Sequence, residues 1–333
     1  MRRFLRVCLV LATLWCLWWF GASAALRLGL ESWLDARRLE GWQAEASKIE
    51  GGGFPVTLVA DLRDPRFADP RTGVAISTDT LRVEADAWWP GQARVLLPDT
   101  PIRFAAPDGQ AQLQMQNGAM RMDLAPKSQL ELRQLAWTSG PWLLSGPEGS
   151  QFSAKNLTAS MVQTDAPETY VFDISLDAAQ PGEVPRARLL IPDKWPLTFD
   201  NLQIDMTVAF DRPWDRSAIE ETRPQPRRIE LKLAEAVWGD LRLKLAADLQ
   251  VDEIGIPTGD IQLQAQNWQA MVTLAENAGV LPSNLRPQVT SVLSTLASAS
   301  GNANTIDVTL KAQRGLLFLG FIPVGQAPTL QLR

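Results

Sequence analysis

Residues 241–251 read LRLKLAADLQV. Leu241, Leu243, Leu245, Ala247, Leu249 and Val251 fall on one set of alternate positions; Arg242, Lys244, Ala246, Asp248 and Gln250 fall on the other. A period of two is the mark of a strand whose two faces meet different surroundings. The same alternation runs through Leu202, Ile204, Met206, Val208 and Phe210, and through Ile229, Leu231 and Leu233. These positions define an apolar face, and the architecture depends on what covers it. An uncovered sheet would show water far more than the few hundred Å² of contiguous apolar surface that soluble proteins usually tolerate. A second layer of sheet, a helical layer, or the acyl chains of a ligand could cover it.

Alternation of this kind extends over most of the chain. It is seen at Val56, Leu58, Ala60 and Leu62; at Leu81, Val83, Ala85 and Ala87; at Ala111, Leu113 and Met115; and at Met120, Met122 and Leu124. It resumes at Phe172, Ile174 and Leu176, at Ile261, Leu263 and Ala265, and at Ile306, Val308 and Leu310. Short stretches of Pro, Gly and Asp, such as Pro107-Asp108-Gly109, separate the runs, which is the layout of successive antiparallel hairpins rather than βαβ units. Between residues 267 and 299 the period changes. Trp268, Met271, Val272 and Ala275 hold helical spacing up to Gly279, and Pro287 stands where a second helix can begin. The closing GLLFLGFIPVGQAPTLQLR reads as a buried terminal hairpin, with a membrane-dipping tip as the alternative. The expected fold is mainly β: an N-terminal anchor helix, then an extended, curled antiparallel sheet, groove-like or two-layered, with a small helical element near 267–299.

The N-terminus, MRRFLRVCLVLATLWCLWWFGASAAL, carries Arg2, Arg3 and Arg6 and then no charge from Val7 to Leu26. A helix over that stretch rises roughly 30 Å, one bilayer core. The basic flank places the N-terminus inside and the remainder outside. Trp15, Trp18 and Trp19 suit the far interface, where an indole keeps its N–H wet. Ala22-Ser23-Ala24 also fits the small-x-small rule for a cleaved signal peptide, so a retained anchor and a signal segment both stand. Residues 1–30 are therefore read as anchor or signal, 31–50 as an amphipathic helix, and 51–333 as a β-rich periplasmic domain. The predicted location is the inner membrane, single-pass, with the bulk in the periplasm.

Composition removes several function classes. The 333 residues include no histidine, the commonest general base and transition-metal ligand, so Ser-His-Asp and Cys-His chemistry are excluded. Both cysteines, Cys8 and Cys16, lie in the apolar N-terminal run, leaving no disulfide or thiolate site in the body. A net charge of −5 with thinly spread basic residues argues against nucleic-acid binding. Gly51-Gly52-Gly53 lacks the Lys-Ser/Thr of a phosphate loop, and Asp248, Asp252 and Glu253 form no metal-ligand or acid-base spacing. Trp88, Trp89, Trp137 and Trp142 admit carbohydrate stacking, although tryptophan serves equally in cores and at membrane interfaces. No enzyme activity and no cofactor are expected.

Glu40-Gly41-Trp42, the Gly53-Phe54-Pro55 turn, Asp64-Pro65 and the final Gly320-Phe321-Ile322-Pro323-Val324-Gly325, together with the Arg-flanked anchor, resemble an uncharacterised family of alphaproteobacterial envelope proteins, domain of unknown function 2125. The resemblance implies periplasmic exposure from an inner-membrane anchor and brings no catalytic residues. A looser similarity is to the AsmA-like periplasmic proteins, which share one anchor helix, a Phe-Pro turn and a long series of amphipathic strands. That similarity implies a groove with an apolar floor sheltering acyl chains, although this chain is short for a bridge between membranes. The expected function is envelope maintenance by binding or shielding the acyl chains of a phospholipid or similar ligand. The expected lipid-facing residues are Leu202, Ile204, Met206, Val208, Ile229, Leu231, Leu233, Leu241, Leu243, Leu245, Leu249 and Val251. The alternative is a non-enzymatic scaffold that binds another envelope protein, for instance through a sheet edge.

Overall fold

The computed structural model describes residues 1–333 apart from Pro90, Lys127, Ser128, Glu221, Ser300 and Arg333. The chain divides into two compact units: Met1–Pro126 with Trp137–Pro147, and Lys127–Ala136 with Glu148–Arg333. Both are mainly β and antiparallel; the main sheet of the second unit joins strands almost in sequence order, as the hairpin pattern predicts, whereas in the first unit the chain alternates between two sheets, so that Thr57–Arg63 pairs with Thr80–Asp86 and Val74–Ser77 with Ile102–Ala106.

The first unit opens with the helix Arg2–Leu39. Glu40 caps its C-terminus, and Gly41, at φ +91°, turns the chain out of the helix in a conformation that a Cβ would strain. The expected amphipathic helix over 31–50 is thereby corrected: it stops at Leu39, and Gln43–Glu45 and Lys48–Gly52 are strands. Ala44 is fully buried between exposed Gln43 and Glu45, a strand alternation too short to register beside the preceding helical period.

One sheet of this unit runs Lys48–Gly52, Thr57–Arg63, Thr80–Asp86, Gln92–Leu96, Ala119–Leu124. Its register aligns Leu58, Ala85, Ala93 and Met122 in one cross-strand row and Ala60, Val83, Val95 and Met120 in the next. The other sheet runs Gln43–Glu45, Arg66–Asp69, Val74–Ser77, Ile102–Ala106, Gly109–Met115, Trp142–Gly146. Most of its strands are only three to five residues long, which hid them from a reading based on period.

In the second unit the main sheet runs Asn156–Gln163, Thr169–Asp177, Asn201–Phe210, Pro226–Trp238, Leu241–Val251, Pro257–Gln266, Thr305–Gln313, Leu316–Leu319, Ile322–Gln326. The long central strands pair over most of their length, so the register of the apolar positions is fixed across seven strands. The helices Trp268–Asn277 and Arg286–Ala299 interrupt the series where the sequence period changes, and Pro287 sits in the first turn of the second.

The terminal hairpin is a second correction. It is exposed, not buried: Phe321 at its tip is fully exposed, and Ile322 and Val324 follow suit. Gly320, at φ +62°, turns the chain between its two short strands at the end of the strand order, where no further strand pairs with Ile322–Gln326 among the described residues.

Candidate functional site

The register of the second unit gathers the apolar positions into cross-strand rows. Leu202, Ala236, Leu243, Ala265 and Ile306 form one row. Ala159, Ile174, Ile204, Ala234, Leu245, Leu263 and Val308 form the next. Met161, Phe172, Met206, Leu231, Ala247, Ile261 and Leu310 form a third, and Tyr170, Val208, Ile229, Leu249, Gly259 and Ala312 a fourth. Alternating side chains of a pleated sheet that share a row share a face.

Eleven of the twelve residues expected on this face lie in these rows or directly continue them: Leu202, Ile204, Met206, Val208, Ile229, Leu231, Leu241, Leu243, Leu245, Leu249 and Val251. Leu233 is the exception. The ladder shifts between Asp205 and Met206 on one strand and between Leu231 and Ala234 on the next, so Leu233 stands opposite Asp205. A bulge inserts one residue and reverses the parity beyond it. Ala234 and Ala236, on the wrong alternate set by simple counting, thereby join the apolar rows.

The two ends of the face are capped. At one end Ala265 and Ile306 pack with Trp268, Val272 and Ala297 of the helices, and Leu243, Leu263 and Val308 lean on that cluster. Beside it, Leu241 packs with Trp238 and Ile191, and Trp195 meets Trp238 edge-on at 5.2 Å. At the other end Val208, Leu249, Val251 and Phe210 are buried. Phe210 contacts Tyr170 and Trp214 edge-on at 5.9 and 5.5 Å. The Tyr170 hydroxyl donates to the Leu132 carbonyl at 3.1 Å and accepts the Trp214 backbone N–H at 3.0 Å, and burial of the ring raises its pKa. Between these caps Ile204, Met206, Leu231, Leu245, Ile261 and Leu310 remain only half-buried. A helix-capped core would have closed over them; here a strip of aliphatic side chains stays accessible across five strands.

The opposite face is charged and solvated. Arg228 grips Asp248 with two hydrogen bonds, at 3.0 and 2.8 Å. Lys232 approaches Asp205 at 3.7 Å, and Glu235 takes Lys244 at 3.3 Å and the Asn201 amide at 2.8 Å. The exposed pairs, Arg228–Asp248 and Lys232–Asp205, contribute about 0–1 kcal/mol each. Their effect is to keep that face in water and so to fix which side of the sheet is apolar.

Two clefts lie elsewhere. One of about 510 Å³ in the first unit is lined by Ala75, Arg103, Phe104, Gln110, Gln112 and Ser145. One of about 470 Å³ in the second lies beside the capped end of the face, against Trp195, Trp238, Leu241, Lys194, Asp240 and Asn267. Neither brings two carboxylates together. Among the described residues no three His, Cys, Asp or Glu side chains converge as a metal site would require.

The N-terminal helix corrects one further expectation. The indole N–H groups of Trp15, Trp18 and Trp19 donate to the carbonyls of Pro55, Ala87 and Thr57 at 3.0, 2.9 and 2.8 Å. They dock the helix on the first unit's sheet instead of facing interfacial water. Trp19 is buried against Leu58, Ala85 and Ala87, at the end of that sheet's own apolar rows.

A family model described as "Uncharacterized protein conserved in bacteria (DUF2125)" matches residues 19–328. No curated protein matches the chain.

Proposed function

The chain belongs to the uncharacterised bacterial family DUF2125, and we propose that it is a membrane-anchored, non-enzymatic protein of the cell envelope that holds lipid acyl chains on its apolar sheet face. The half-buried strip of Ile204, Met206, Leu231, Leu245, Ile261 and Leu310 between two capped ends carries this reading. Aliphatic side chains in a row of that length suit an acyl chain, whose methylenes each gain about 0.8 kcal/mol on leaving water. The likeness to AsmA-like proteins belongs to the same reading.

Among the described residues, Arg2–Leu39 is the one helix long and apolar enough to cross a membrane. Retention of this segment is supported by its packing. Cleavage after Ala24 would remove the three tryptophans and uncover Leu58, Ala85 and Ala87, which are at most 5% exposed. With Arg2, Arg3 and Arg6 inside, the body lies on the far side of the inner membrane, in the periplasm.

The test is photocrosslinking in intact cells with benzoylphenylalanine replacing Leu231 or Leu245, and Lys244 as the opposite-face control. Lipid adducts at 231 and 245 but not at 244 are expected. Absence of lipid from both apolar positions overturns the reading.

A second reading rests on the strand Ile322–Gln326, which is exposed at all five positions and ends its sheet. Such an edge can accept a strand from a partner protein. A specific protein crosslinked at position 324, with no lipid at 231 or 245, would favour it.

A further inference from the structure

We propose that the turn Gly53–Val56 and the loop carrying Trp88 form an apolar collar that lies within the periplasmic leaflet of the membrane, with its acyl chains as the occupant. This rests on the reading of the N-terminal helix as a retained anchor. The collar is built by hydrogen bonds already described: Trp15 holds Pro55, Trp19 holds Thr57 and Trp18 holds Ala87, while the Ala87 N–H donates to the Val56 carbonyl at 3.0 Å. Phe54 meets Trp19 edge-on at 5.2 Å and stacks on Phe20 at 6.2 Å. Both segments are thus fixed to the helix at the level of residues 15–20.

Despite this packing, the outward side chains are apolar and exposed. Trp88 is 61% exposed, Phe54 and Val56 53% each; Leu14, Leu17, Trp18 and Phe20 of the helix are exposed too, and Phe54 adjoins Phe20. From Gly51 to Val56 and from Ala87 to Trp89 there is no charged residue. This patch is continuous with the apolar surface of the anchor.

Helix length decides how deep it lies. A bilayer core of roughly 30 Å starting after Arg6 ends near Leu26, just before Arg27, at ~1.5 Å per residue. Residues 15–20 then sit roughly 9–16 Å inside that outer boundary. Were the collar instead in water, only the helix below Trp15 would remain for the membrane, roughly 18 Å short of the core. The collar must therefore enter the leaflet, and its apolar surface removes the cost of doing so. Glu50 and Asp86 are the charges that immediately precede the two uncharged segments in sequence.

The experiment uses the full chain with Cys8→Ser and Cys16→Ser, in nanodiscs of phosphatidylethanolamine and phosphatidylglycerol. An environment-sensitive NBD fluorophore is attached through Val56→Cys or Trp88→Cys, and through Arg71→Cys as an exposed control. The expected result is loss of fluorescence at 56 and 88 with chain-labelled doxyl lipid and none with aqueous iodide, the reverse holding at 71. Quenching of 56 and 88 by iodide alone, with intact mass, overturns the collar and leaves the anchor standing. Intact mass and carbonate extraction test the anchor separately: loss of residues 1–24 with release from the membrane overturns both.

Discussion

The indole N–H of Trp19 donates to the Thr57 carbonyl at 2.8 Å, and its ring is buried against Leu58, Ala85 and Ala87. A residue of the apolar N-terminal segment is thus part of the core of the first unit. Trp19→Ala is expected to destabilise that unit by about 3–5 kcal/mol, the usual cost of deleting a buried tryptophan side chain. Trp19→Phe keeps most of the ring but strands the carbonyl, at about 1 kcal/mol. Urea unfolding of the full chain in a membrane mimetic measures both.

Leu245 and Leu241 share a strand and a face but differ in cover: Leu241 is buried in a cluster with Trp238 and Ile191, and Leu245 is half-buried. Leu241→Ala should cost about 2–5 kcal/mol. Leu245→Asp should cost less than about 1 kcal/mol, because the carboxylate reaches water, and should abolish lipid adducts at neighbouring position 231. A loss of several kcal/mol on Leu245→Asp would instead mean that the strip is closed core.

Tyr170 joins Leu132 to Trp214 through one hydroxyl. Tyr170→Phe leaves the Trp214 N–H and the Leu132 carbonyl without it, an expected loss of about 1–3 kcal/mol. Burial raises the folded-state pKa of this phenol above its ordinary value of about 10. The folded chain therefore holds the phenolic proton more tightly than the unfolded chain does. The resulting stability is complete below pH ~10 and is lost as pH rises through the raised value. Unfolding curves across alkaline pH should show this loss in the native protein and not in the Tyr170→Phe variant.

Gly259 lies in the middle of the sheet at φ +150°, and a Cβ there would stand 2.0 Å from the Asp248 carbonyl oxygen. Gly259→Ala must push the two strands apart opposite Leu249. The expected loss exceeds ~1 kcal/mol, more than the ordinary effect of glycine replacement, and is read by thermal unfolding.

Ile322 and Phe321, in the exposed terminal hairpin, contribute little buried area. Ile322→Lys and Phe321→Ser should shift stability by no more than about 0.5 kcal/mol in urea unfolding. Loss of a protein crosslink at 324 in Ile322→Lys would mark the edge as a binding surface.

The helical interlude and most long strands were legible because each is long enough for its period to stand out. In Leu241–Val251 the alternate set seen in the sequence is the set found on the apolar face. The short strands of the first unit were not legible, since three or four residues scarcely define a period. Leu233 was misplaced because a bulge is a relation between two strands, and neither strand alone records it.

The sequence by itself determined the class of the protein. Lack of histidine, two cysteines confined to the apolar N-terminus, a basic-flanked apolar helix and repeated two-residue alternation follow from local chemistry. Only the tertiary structure decided which apolar residues are covered. Trp19 packs on Leu58 across 39 positions, and the helices at 268–299 close one end of a face that begins at Leu202. Burial is set by what arrives from elsewhere in the chain: Leu241 and Leu245 are identical in kind and in strand parity, and one packs with Ile191 of a distant segment while the other stays half-buried.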